Sequence, residues 1–345
     1  MTVVQRLQAT GIRRSGSPAR GFRYRTADGG APSWQDRRRI RDLAVPPAWT
    51  DAWISAAVSS PVQAIGKDRA GRWQYLYSER HARRREERKR ERLLAFLQTL
   101  PRIRARVARD LRAEGLGRDR VLAAMVRILL RGFVRPGSAV YTRENGTYGL
   151  STLRHRHARV RGRRITLAYT GKGRKEQRRE IDDAPAAGVV AALLARPGVT
   201  LFRYRDDGGE WVCVRRRHLN DYLREIAGIR ISAKDFRTWA GTLIGACALA
   251  RQGYPDPPTA RALKRSVAEA MRETARLLGN TPAVCRTSYV CPAVFSSYER
   301  GRLLADPIPA EALVRASART LLLYERRLSR LIRDEDRRLP AAVAA

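Results

Sequence analysis

Residues 277–289 read LLGNTPAVCRTSY, and the fold of the second half of the chain turns on how that stretch is divided. Gly279 closes a helical pattern over Ala260–Leu278 at the position where a left-handed residue is wanted. Thr281 is a suitable cap for a new helix, and Pro282 fits its first turn. Tyr289 then falls about two turns into that helix, before Pro292 ends it. Working outward, the chain reads as helical from Arg215 almost to the end. Ser232 caps a helix carrying Lys234 and Arg237, a last helix runs from about Ala310 to Arg333, and the alanine-rich end is a tail.

Upstream the pattern is mixed. Asn145-Gly146 between Ala139–Thr142 and Thr147–Leu150 predicts a β-hairpin. Strands are expected at Ala158–Val160 and Arg164–Thr170, turning through Gly162. A second turn, Gly171-Lys172-Gly173, leads toward Gln177–Ile181 and puts Lys172 at a hairpin tip. A short helix over Ala184–Ala195 and a hairpin around Asp206–Gly209 come next. The run HARRREERKRER (81–92) mixes acids and bases at helical spacing, as an exposed helix with ion pairs does. Pro101 can begin a second helix after it, and Gly115 and Gly117 break the chain before Arg118–Leu130. Before this, residues 21–78 show short strands and one short helix, and Met1–Arg20 is polar and expected to be a flexible end. The fold class is therefore α+β: a small, mostly β N-terminal domain (21–78), then a larger, mainly helical domain (79–345) with a β-hairpin insert at about 138–182.

The 345 residues include 70 Lys and Arg against 33 acids, a formal charge of +37. With 43% hydrophobic residues the chain can bury a core, so the charge belongs to a folded protein and not to a disordered basic tail. Such an excess calls for a polyanion, and nucleic acid is the usual one. A membrane is not favoured: there is no apolar run of about 18 residues, and Met1–Arg20 lacks the pattern of a secretory signal. Cys213, Cys247, Cys285 and Cys291 form no CxxC pair and the four histidines have no zinc-like spacing, so reduced thiols, no metal and no cofactor are expected.

Breaking a phosphodiester without a metal needs a nucleophile, cations for the charge that develops on phosphorus, and an acid for the leaving oxygen. Guanidinium suits the second task, because its forked donors match phosphate oxygens and stay charged. With so many arginines, context has to choose among them. FVRPGSAVYTRENGTYGLSTLRHRH (133–157), TGKGRK (170–175), AKDFRTWAGT (233–242) and LLGNTPAVCRTSY (277–289), together with VPPAWTDAWI (45–54) and GKDRAGRWQYLY (66–77), supply it. In order and spacing these segments resemble the poxvirus-like and bacterial type IB DNA topoisomerases, over roughly residues 20 to 300.

The resemblance implies roles. Tyr289 matches the nucleophile, Arg135 and Arg237 match the two arginines that clamp the phosphate, and Lys172 matches the general acid toward the 5′ oxygen. Lys234 matches an assisting lysine near the leaving group. Asn280 matches the position, His in poxvirus enzymes and commonly Asn in bacterial ones, that donates to a non-bridging oxygen. Gln74, Tyr75 and Tyr77 lie in the segment that the family uses to touch bases, Gln74 and the tyrosines on opposite faces of a strand, and Tyr141 joins them as a DNA contact. Cys291 stands where relatives often have His, which leaves the role of that position open. Taken singly, Tyr289 could be a core aromatic, Arg135 and Arg237 surface arginines, Lys172 a turn residue and Asn280 a helix-end residue. A P-loop is excluded, since GxxxxGK[ST] is absent.

What the family implies is relaxation of supercoiled DNA through a 3′-phosphotyrosyl intermediate, without ATP or metal. It would be carried out by a cytoplasmic, nucleoid-associated monomer of bacterial type clamping double-stranded DNA. Tyrosine recombinases share the chemistry but typically carry His-x-x-Arg around the second arginine, where this chain has Lys234-Asp235-Phe236-Arg237. A non-catalytic basic DNA-binding protein would account for the charge and not for the ordered motifs.

Overall fold

The computed structural model describes residues 1–336 and divides the chain into two compact units, Met1–Arg88 and the residues from Lys89 onward. The alanine-rich end, expected to be a tail, lies outside the described residues.

In the first unit, helix α1 (Val3–Thr10) and strand β1 (Ile12–Ser17) are followed by β2 (Gly21–Arg25), α2 (Trp34–Asp42), β3 (Thr50–Ile54), β4 (Val62–Lys67) and β5 (Trp73–Tyr77). The strands form one antiparallel sheet in the order β2-β1-β3-β4-β5. Ala64 and Ile65 on β4 point to opposite faces. Ala64 joins Ile12, Ile54 and Ile40 of α2, while Ile65 joins Leu7 of α1 with Val62 and Trp73. The first twenty residues, expected to be a flexible end, hold helix α1 and strand β1. Thr2 and Gln5 form a reciprocal cap: the Thr2 hydroxyl accepts from the Gln5 N–H at 3.2 Å and the Gln5 side chain accepts from the Thr2 N–H at 2.8 Å. Buried Leu7 and Ile12 then hold the segment down.

The second unit is built around α8 (Ala233–Gln252), whose residues Trp239–Ala250 are buried without interruption. A helix apolar all round belongs in the centre of a bundle. Around it lie α4 (Arg118–Gly132), α7 (Arg216–Ala227), α9 (Ala260–Leu278), α11 (Pro292–Glu299), α12 (Ala310–Arg315) and α13 (Ala318–Asp336). The unit also holds α5 (Ala139–Asn145), a three-stranded antiparallel sheet of β6 (Ala158–Arg161), β7 (Arg164–Gly171) and β8 (Lys175–Asp182), helix α6 (Ala184–Leu194), and the hairpin of β9 (Arg203–Arg205) with β10 (Trp211–Cys213). Among the described residues no helix is long and apolar enough to cross a membrane.

Several local expectations need correction. Pro101 does not start a helix but lies inside α3 (Glu79–Asp110). Proline in a helix interior costs about 3 kcal/mol, and burial of Phe96, Leu97, Leu100 and Ile103 on one face outweighs it. The hairpin around Asn145-Gly146 is instead α5 ended by Gly146 at φ +62°, because a primed turn and a helix C-cap ask for the same left-handed residue. The segment over about 138–182 holds a helix, three short 3₁₀ turns and a three-stranded sheet, of which β7 and β8 form the hairpin. The helix expected from Ala310 to Arg333 breaks at Ala316-Ser317, where the Ser317 hydroxyl caps α13 by accepting from the Thr320 N–H at 3.1 Å.

Candidate active site

The site is organised by the C-terminal end of α9. A helix leaves its last carbonyls without partners and carries partial negative charge there. Gly279 takes φ +63°, and the Asn280 N–H reaches back to the Ala275 carbonyl at 3.0 Å. Two guanidiniums occupy the carbonyls left over. Arg237, in the second turn of α8 and only 2% exposed, donates from Nη2 to the Leu278 carbonyl at 2.9 Å and from Nη1 to the Phe133 carbonyl. Arg135 donates to the Gly279 carbonyl at 3.4 Å and to the side-chain oxygen of Asn280.

The backbone of Arg135 is held by glycine contacts. Phe133 ends α4 in the left-handed region, and Gly137 turns the chain at φ +88°. Gly137 and Gly149 press backbone to backbone, so that a Cβ on Gly149 would overlap Gly137. That approach lets the Leu150 and Ser151 N–H groups donate to the Arg135 and Pro136 carbonyls, each at 2.8 Å.

Tyr289 comes after a short helix, α10 (Pro282–Val284), capped by the Thr281 hydroxyl, which accepts from the Val284 N–H at 3.3 Å. Cys285–Tyr289 then form a π turn, a wide turn often found at functional sites. This brings the Tyr289 ring beneath Arg237, with the guanidinium carbon 4.8 Å from the ring centre. Burial pushes the phenol pKa up, but the charges and hydrogen bonds of Arg237 and then Arg135 outweigh it and hold the phenol below the ordinary tyrosine value. Arg237 itself is pushed down by burial. The Asn280 amide nitrogen is buried beside the Cys285 thiol and meets no oxygen acceptor among the described residues. Burial raises the Cys285 pKa, so that thiol stays protonated.

Arg135, Arg237, Asn280 and Tyr289 therefore come together at one helix end. Lys172 stands exposed at the tip between β7 and β8, and Lys234 is exposed in the first turn of α8. The hairpin bearing Lys172 is anchored to the same place: a Cβ on Gly279 would overlap the Gln177 and Arg179 side chains of β8. Tyr141 is 60% exposed on α5. In the first unit, Tyr75 and Tyr77 are exposed with ring centres 6.4 Å apart, and Arg85 lies over Tyr77. Gln74 faces the other way, donating to Asp68 at 2.8 Å.

Known proteins resemble the chain in sequence. Residues 78–299 match the family model for the eukaryotic DNA topoisomerase I catalytic core, and residues 21–68 match that for the bacterial DNA topoisomerase IB N-terminal domain. A DNA topoisomerase 1B of Acanthamoeba polyphaga mimivirus is 34% identical over 270 residues, covering 77% of this chain and 80% of the viral protein. The chain belongs to the type IB DNA topoisomerases. More distant members include DNA topoisomerase 1B of vaccinia virus (strain Copenhagen) and DNA topoisomerase I of monkeypox virus, each 23% identical over 237 residues, or 67% of this chain and 70% of theirs.

For this type IB topoisomerase, sequence reasoning missed the residues that support Tyr289 from behind. Gly241 packs under it: an ideal Cβ there would lie 3.0 Å from both the Cβ and the carbonyl oxygen of Tyr289. Thr242, fully buried, holds the next stretch, its hydroxyl accepting from the Cys291 N–H at 3.1 Å and lying 3.2 Å from the Tyr289 carbonyl. Glycine in mid-helix, four residues after Arg237, was the available sign of a close approach. Arg179, between Arg135 and Tyr169, carried no local signal.

Proposed function

We propose that the protein relaxes supercoiled duplex DNA by transient cleavage of one strand. The Tyr289 oxygen attacks phosphorus, its proton passing to solvent, and a 3′-phosphotyrosyl bond forms as the bond to the 5′ oxygen breaks. Lys172, assisted by Lys234, gives that oxygen its proton. Arg135 and Arg237 stabilise the pentacoordinate phosphorus, and Asn280 donates to a non-bridging oxygen. The intact strand allows the duplex to swivel, and the 5′ hydroxyl then expels Tyr289. Because the phosphotyrosine retains the energy of the broken bond, no ATP is consumed.

The observation that carries this reading is the Tyr289 ring under Arg237, with its phenol held below the usual value by two guanidiniums. Two fixed cations favour phenolate and the anionic transition state together. Lys172 at an exposed tip can enter a groove of bound DNA. The exposed pair Tyr75 and Tyr77 is the candidate base-contacting face of a monomeric clamp, with Tyr141 as a further contact. Gln74 has one amide N–H bound to Asp68, which leaves its other N–H and its carbonyl oxygen for DNA.

The test is relaxation of supercoiled plasmid in EDTA without ATP, wild type beside Tyr289→Phe, with a denaturing trap for covalent complexes. Wild type should relax the plasmid and trap a 3′-linked complex, while the mutant only binds. Equal behaviour of the two would reduce the protein to a basic DNA-binding protein.

A further inference from the structure

The π turn that presents Tyr289 ends abruptly, since Val290 is extended and its N–H bonds back to the Cys285 carbonyl at 2.9 Å. The carbonyls beyond that bond point out of the turn and need partners. Lys89 supplies them. Its ammonium donates to the Val290 carbonyl at 2.7 Å and to the Thr287 carbonyl at 3.3 Å, gripping the chain on both sides of Tyr289. The Thr242 hydroxyl accepts from the Cys291 N–H at 3.1 Å, with its own proton best directed to the Thr238 carbonyl at 2.7 Å.

We propose that Lys89 is a positioning residue for the nucleophile, fixing the Tyr289 turn by its backbone. The inference rests on reading Tyr289 as the nucleophile. An ammonium has three donors and a full charge, which suits two carbonyls at the negative end of a helical turn. The charged run HARRREERKRER (81–92) reads as a solvated helix face, yet its single lysine is spent on protein carbonyls. Lys89 lies on α3, so the nucleophile's turn is tied to that helix. On α8, Asp235 is likewise bound to α3, through Arg92 at 2.6 and 2.7 Å. The same helix therefore holds the elements that carry Tyr289 and Arg237.

The experiment compares wild type, Lys89→Met and Lys89→Arg in single-turnover formation of the covalent complex at saturating duplex DNA. Binding affinity is measured separately for each in a Tyr289→Phe background. Lys89→Met should cleave at least tenfold more slowly with affinity within about threefold of wild type. Lys89→Arg should recover most of the rate. Thr242→Val, which removes the other hold, should show the same split, with Thr242→Ser close to wild type. A wild-type rate at saturation for Lys89→Met would overturn the proposal. So would weaker binding with a salt slope reduced by about one phosphate contact, which would make Lys89 a DNA contact. If Lys89→Met and Lys89→Arg were equally slow and equally low-melting, the role would be general stability and the proposal would also fall. Should wild type itself trap no complex, the nucleophile reading fails first, and the proposal goes with it.

Discussion

The guanidinium of Arg237 lies 4.8 Å from the ring centre of Tyr289 while donating to two carbonyls of the protein itself. The side chain proposed to serve the chemistry thus also joins α8 to the ends of α4 and α9. Arg237→Ala should lower single-turnover cleavage by about 10²–10³-fold, the scale for losing one transition-state donor. It should also cost roughly 1–3 kcal/mol of stability, because the Phe133 and Leu278 carbonyls lose their buried partner. Cleavage kinetics and a denaturant melt on the same variant separate the two losses.

The Tyr289 phenol, held low by Arg237 and Arg135, sets the pH dependence. Cleavage should rise with pH until the phenol is ionised in the DNA complex. Arg135→Ala removes one of the cations favouring phenolate, so its rising limb should move to higher pH, toward the ordinary value of about 10. A profile for Arg135→Ala that overlays wild type would remove Arg135 from this role. The same group should add stability above the ordinary tyrosine value, and that gain should be lost as pH falls through the depressed folded value.

Two glycine-to-alanine changes in helices should have opposite signs. Gly188 in α6 has open space around its missing Cβ, and Gly188→Ala should stabilise by up to about 1 kcal/mol through helix propensity. Gly241 meets Tyr289 at 3.0 Å, so Gly241→Ala should destabilise by about 1–3 kcal/mol through overpacking. It should also slow cleavage more than it weakens DNA binding. Urea melts and the covalent trap read both.

Glu325 of α13 is 2% exposed and receives Arg104 of α3 at 2.5 and 2.8 Å. Removing one partner leaves a buried charge, so Glu325→Ala should cost about 3–5 kcal/mol. Replacing both residues with apolar ones of similar size should restore much of that. The double variant melting below either single one would refute the account.

Whether a feature is legible in the sequence depends on whether its signal is local. The end of α9 and the cap of α10 rest on Gly279, Thr281 and Pro282 alone, and both are legible directly. The Lys172 tip is legible for the same reason, with glycines on either side. Asn145-Gly146 misleads because a left-handed residue serves two motifs, and tertiary packing around the turn decides between them. The cap Thr2-x-x-Gln5 is present in the sequence, but polar composition over Met1–Arg20 hides it. Lys89 and Thr242 cannot be found from sequence, since their partners lie 201 and 49 residues away in the chain. Choosing Arg135 and Arg237 from the arginines depends on resemblance, because nothing local distinguishes a buried guanidinium from an exposed one.

The carbonyl end of α9 has a consequence for selectivity. Leu278 and Gly279 each hold an arginine in a single pose, whereas an exposed arginine would wander among rotamers worth roughly 2 kcal/mol of entropy. If the two arginines clamp phosphate as proposed, their fixed poses should favour a phosphate held at a set height and angle by a docked duplex, and stray phosphate should compete poorly for the same seat.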